Sequence, residues 1–135
     1  MMQILHFPFK QTATLHIANH TQTKQLDCEL ATTDVEIFQS LNYRTREEFT
    51  KPLVLLFSNP SAQSFSRINF QFPVEQIAVD SDSHVVKEIT TIYPAHNKET
   101  SMSLKAYSNY GIVILAPKGS SKQHNITLDK TRIAV

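Results

Sequence analysis

The chain has 135 residues, thirteen basic and twelve acidic, with a formal charge of +1 and a single cysteine. A chain of this size makes one domain spanning residues 1–135 and buries roughly two-thirds of the surface it would expose unfolded, with no disulfide or metal staple required. The balanced charge and the lack of a clustered basic run argue against a nucleic-acid footprint, and no apolar stretch is long enough for a membrane span.

The opening Met1–Lys10 is too short and too broken by Pro8 to read as a signal peptide, so a cytoplasmic protein is the default expectation. Gln3–His6 is a short candidate strand. From Thr12, Ala13, Leu15 and Ile17 alternate with Thr14, His16 and Ala18, and Leu26, Cys28 and Leu30 alternate with Asp27 and Glu29. This is the period-two pattern of strands with one buried face, and the polar Asn19–Thr23 between them predicts a hairpin. Thr33-Asp34-Val35-Glu36 has the spacing of a capping box, and Ile37, Phe38 and Leu41 share one helical face, which predicts a short helix over 34–41.

Leu53–Phe57 is apolar without alternation, as in a strand covered on both sides. In the stretch 65–80, Ile68, Phe70 and Phe72 alternate with Arg67, Asn69 and Gln71. Pro73 interrupts that ribbon, since a residue without an N–H cannot sit mid-ladder, and Ile77 and Val79 resume it. Asp80–Ser83 has turn chemistry, so Gln76–Tyr93 reads as a hairpin whose second strand begins at His84. Tyr93–Tyr110 is long, polar and weakly patterned; Ile112–Leu115 is a second buried strand. Gly119–Asn125 reads as a loop or short helix, and Arg132–Val135 as a strand.

These elements give a mainly β fold (α+β with a minor helix), a twisted or barrel-like sheet of about seven strands with the helix against one side. Only two glycines are present, where average usage of about 7% would give roughly nine. Positive-φ turns therefore fall to Asn, Asp and Ser, with Pro at other turn positions.

The order of residues resembles the domain of unknown function 192 family, also called uncharacterised protein family 0127. Its members typically carry Glu-Leu-Ala-Thr-Thr, a helix ending Gly-Leu-Met-x-Arg, then Gly-Met-Leu-Phe, Phe-Trp-Met-Lys-Asn-Thr, Pro-Leu-Asp and Ile-Asp-x-x-Gly. Here Glu29-Leu30-Ala31-Thr32-Thr33 matches the first, and Leu41 with Tyr43-Arg44 echoes the second. Leu55 or Leu56 with Phe57 is similar to the third, and Phe65, Asn69, Pro73, Glu75, Ile77 and Asp80 fall in register with the rest. The similarity runs from about Thr12 to Ile133. Ser40, Pro52 and Ser83 replace family glycines, and Ser66-Arg67-Ile68 replaces the family Trp-Met-Lys. The resemblance implies the fold and no specific activity.

Asn69, Glu75 and Asp80 form the best polar cluster, and the resemblance places Arg44 near them. An Asn beside a proline break can offer its amide to a ligand while an arginine pairs its carboxylate or phosphate. Ligand-binding candidates are therefore Arg44, Phe65, Asn69, Glu75 and Asp80. The structural alternative has Asn69 satisfying backbone groups, Asp80 starting the turn and Arg44 tying the helix end to the sheet. Glu75 with Asp80 as an acid/base pair is the enzymatic alternative, although on a regular strand the two face opposite sides. The six histidines lack metal-ligand spacing, and Cys28 shares the apolar side of its strand. No phosphate loop or nucleophile elbow is present.

The reading is thus a small non-catalytic module binding a small polar ligand or a peptide, with no catalytic residue, metal or cofactor expected. A hydrolase using Glu75 or Asp80 is one alternative, and a protein–protein interaction domain is the other.

Overall fold

A computed structural model describes residues 11–32, 46–47, 49–56, 72–93 and 111–135. Within them lie seven strands and one short helix: β1 (Gln11–Ala18), β2 (Thr23–Ala31), β3 (Leu53–Leu56), β4 (Val74–Val79), β5 (Val86–Ile92), β6 (Ile112–Pro117), α1 (Ser120–Gln123) and β7 (Arg132–Ala134). The strands form one sheet in the order β5-β4-β6-β3-β2-β1-β7. All neighbours are antiparallel except β2 and β3, which run parallel with Leu30 opposite Val54. The fold is mainly β, as the patterning predicts. The helix expected over 34–41, the strand at Gln3–His6, the ribbon residues 65–71 and the stretch 94–110 lie outside the described residues.

The two ends of this strand order meet. Val85, just ahead of β5, bridges Arg132 in β7. Around that bridge Ile133 N–H donates to the His84 carbonyl at 2.8 Å, and Val86 N–H donates to Thr131 at 2.9 Å. The sheet therefore curls into a barrel whose seam is sealed by a few bonds, which satisfies edge groups that would otherwise be open.

Alternation sorts the apolar side chains into two cores. Leu15, Ile17, Cys28, Val54, Ile77, Val79, Val86, Ile112, Ile114 and Ile133, drawn from all seven strands, pack together with Ile126. This is the barrel interior. Leu53, Leu55, Val74, Val113 and Leu115 point the other way and pack with Ala31, Phe49 and Phe72. Phe49 and Phe72 meet edge to face, with ring centroids 5.6 Å apart.

Strands β3 and β6 are covered on both faces by these cores, in agreement with their unbroken apolar runs. The half-wet expectation for the residues after Pro73 is corrected: every residue of β4 is buried. It runs between β5 and β6, with Ile77 and Val79 in the interior core and Val74 in the outer one.

Turns lean on polar residues in place of glycine. Asn125 and Asp129 adopt φ of 56° and 61°, and Gly119 has φ of 95°. His84, at φ 63°, is the unforeseen member of this set. Its N–H donates to the Asp80 carbonyl at 2.8 Å and its own carbonyl receives Ile133, so the hydrogen bonds that close the barrel also hold it in the left-handed region.

Candidate functional site

At one end of the barrel the chain leaves β6 at Pro117, turns through Lys118 and Gly119 and enters α1. The left-handed φ at Gly119 is the geometry that glycine tolerates best. One turn of helix follows, with Gln123 N–H bonded to the Gly119 carbonyl at 3.0 Å and His124 N–H to Ser120 at 3.0 Å. So short a helix has little stability of its own. It is held by Glu75, which shares the interior parity of Ile77 and Val79. Ser121 N–H donates to Glu75 Oε1 at 2.7 Å, and Ser121 Oγ donates to Oε2 at 2.9 Å. Both residues are buried, and each carboxylate oxygen has its donor.

This anchoring sets one wall of a cleft of about 480 Å³. Pro117, Lys118, Ser120, Gln123 and His124 form that wall; Leu26 and Asp27 of β2 and the segment Arg46, Thr50, Lys51 and Pro52 form the other. A smaller cavity of about 310 Å³, bordered by Thr12 to Thr14, shares Asp27 and Lys51 with it. Lys118 Nζ lies 5.2 Å from the centroid of the Tyr93 ring, a cation–π arrangement that steadies the ammonium. Lys24 Nζ donates to His124 Nδ1 at 2.9 Å. An accepting Nδ1 places the ring proton on Nε2, so His124 keeps an N–H donor while neutral. Burial, and then the Lys24 charge, hold its pKa below the ordinary histidine value.

Of the residues singled out from sequence, Arg44, Phe65 and Asn69 lie outside the described residues. Glu75 and Asp80 are placed at opposite ends of β4 and do not converge. Glu75 is the buried partner of Ser121. Asp80 sits at the hairpin turn, where its Oδ1 accepts from Asp82 N–H at 2.9 Å. That backbone bond, foremost among several, lowers its pKa. Neither carboxylate lines the cleft.

The cleft residues Arg46, Lys51, Lys118 and His124 escaped sequence reasoning, because they come from segments far apart in the chain. The one local signal was Gly119 followed by two serines. Among the described residues no three His, Cys, Asp or Glu side chains group to hold a metal. No helix there is long and apolar enough to cross a membrane.

The model of the family DUF192, described as "Uncharacterized ACR", matches residues 15–132. The chain belongs to this family. No curated protein matches the sequence. Among solved structures, this DUF192 member is similar to a protein of unknown function from Novosphingobium aromaticivorans, with a TM-score of 0.74 and 18% identity. That match covers 96% of this chain and 89% of the other. It is also similar to a crystal structure titled a putative transcription regulator from Sinorhizobium meliloti, with a TM-score of 0.69 and 15% identity, covering 93% and 94% of the two chains. At these identities the likeness establishes the fold alone.

Proposed function

We propose that this DUF192 chain is a small non-catalytic binding module that takes a small polar ligand in the cleft between β2, the segment 46–52 and α1. The observation that carries the reading is the cleft itself. It is of metabolite size, and its lining mixes hydrogen-bonding side chains with charges while leaving the buried acid Glu75 outside. A general base needs a free lone pair within reach of substrate. Glu75 is buried against Ser121, Asp80 bonds its own turn, and neither lines the cleft. Their placement favours structural work over the hydrolase alternative.

The test is a thermal-shift screen of small polar metabolites, with each hit mapped by amide chemical shifts. A supporting hit moves the resonances of Lys51, Ser120, Gln123 and His124 saturably. Hits that all map elsewhere, or a turnover of any screened compound, would count against the reading.

A further inference from the structure

The cleft is charged out of proportion to the molecule. Arg46, Lys51 and Lys118 face a single acid, Asp27, among its lining residues, so the lining carries +2 with histidine neutral while the whole chain carries +1. Neither Arg46 nor Lys51 is ion-paired to another described residue; the one such pair, Lys87 with Asp129 at 3.2 Å, is on another part of the surface. A concave wall bearing one sign of charge concentrates its field, and so draws counter-charged solutes more strongly than a flat surface would.

The three cations also differ in kind. A guanidinium grips a planar or tetrahedral oxyanion through two parallel N–H groups, whereas an ammonium acts as a point charge. Lys118 is steadied on the face of Tyr93, so less of its motion has to be frozen on binding. Ser120 and Gln123 add neutral side chains, the latter with amide donors, on the same wall.

We propose that the ligand is a small oxyanion, carrying a carboxylate or a phosphate group, held by Arg46 as a fork and by Lys51 and Lys118 as point charges. The assignment rests on the binding reading above and narrows it to a chemical class. Asp27 marks the side of the cleft from which the anionic group is kept away.

The experiment is a titration of the isotope-labelled full chain with sodium phosphate and, separately, sodium citrate, at ionic strength held constant with sodium chloride. Erythritol serves as the neutral probe. Saturable movement of the amides of Lys51, Lys118 and Gln123 by either anion supports the proposal. Phosphate alone would identify a phosphate-bearing ligand, citrate alone a carboxylate. Losing charge-assisted bonds, the R46Q/K51Q double variant should bind about tenfold or more weakly. K87Q should bind like the parent. Both substituted side chains are exposed, so the double variant should melt with the parent, and K51Q alone serves if it does not.

Shifts that grow linearly with anion, or that weaken equally in K87Q, would overturn the assignment by exposing simple screening. Saturable binding of erythritol in the cleft with no response to either anion would remove the oxyanion and leave the binding module. Silence of the cleft toward all three probes, together with failure of the metabolite screen, would remove both.

Discussion

Glu75 holds Ser121 by both of its donors, the backbone N–H at 2.7 Å and the hydroxyl at 2.9 Å, across 46 residues of sequence. The carboxylate thereby fastens a single turn of helix over the end of the barrel, and with it one wall of the cleft.

Removing that grip leaves two buried donors without acceptors. A hydrogen bond to a charged group contributes about 1.5–3 kcal/mol. Glu75→Ala should therefore lower the unfolding free energy by about 3 kcal/mol, read from the urea midpoint at unchanged slope. Ser121→Ala, which keeps the backbone bond, should cost about half as much, about 1.5 kcal/mol. An alanine at 75 that unfolds at the parent midpoint would show that the pair carries no stability.

Thr131 is fully buried at the barrel seam. Its hydroxyl donates to Asn19 Oδ1 at 2.8 Å and accepts from Thr127 N–H at 2.8 Å. Thr131→Val preserves shape but orphans both partners, so a loss of about 1–3 kcal/mol is expected, with faster amide exchange at Ile133 and Val86. If exchange there stays unchanged, the hydroxyl is not what secures the seam.

His124 has its pKa lowered in the folded state, by burial first and by Lys24 second. The unfolded chain then binds the proton more readily than the native one. This histidine's contribution is constant above the ordinary value of about 6.5 and becomes unfavourable as pH falls from there toward the lower folded value. His124→Gln should flatten that limb of the stability profile, and Lys24→Met should raise the pKa of His124 in a proton-resonance titration. An unmoved titration in the methionine variant would dissociate the two side chains.

Cys28 has no exposed surface, and burial, the largest influence, pushes its thiol pKa up. Low access and low thiolate content act together. A thiol reagent should label the chain in urea and only slowly in native buffer, at a rate that follows transient opening. Rapid native labelling would place the sulfur at the surface.

Much of the barrel was legible because the relevant information was local. The hairpin from Thr12 to Leu30 shows its alternation residue by residue, and Leu53–Leu56 and Ile112–Leu115 carry the unbroken apolar runs of strands buried on both faces. The polar turns also followed, with Asn125 and Asp129 taking conformations usually left to glycine.

What was not legible depends on distant partners. Glu75 and Gln76 made β4 read as half wet, yet both are buried, and the donors that make burial tolerable for Glu75 belong to Ser121. The parallel joining of β2 to β3 and the Val85–Arg132 bridge are invisible in any window of the sequence. The cleft draws on three separated segments, so no motif spans it.

The meeting of Ile17 with Ile133 has a consequence for synthesis. On a ribosome β1 emerges more than a hundred residues before its β7 partner, so until then the ring stays an open ribbon with one flank of β1 bare. Folding of this kind is slow, because distant segments must be brought together before their contacts reward it. The nascent protein thus passes through a stage in which other strands can pair with that flank, and the final few residues of the barrel decide when the hazard ends.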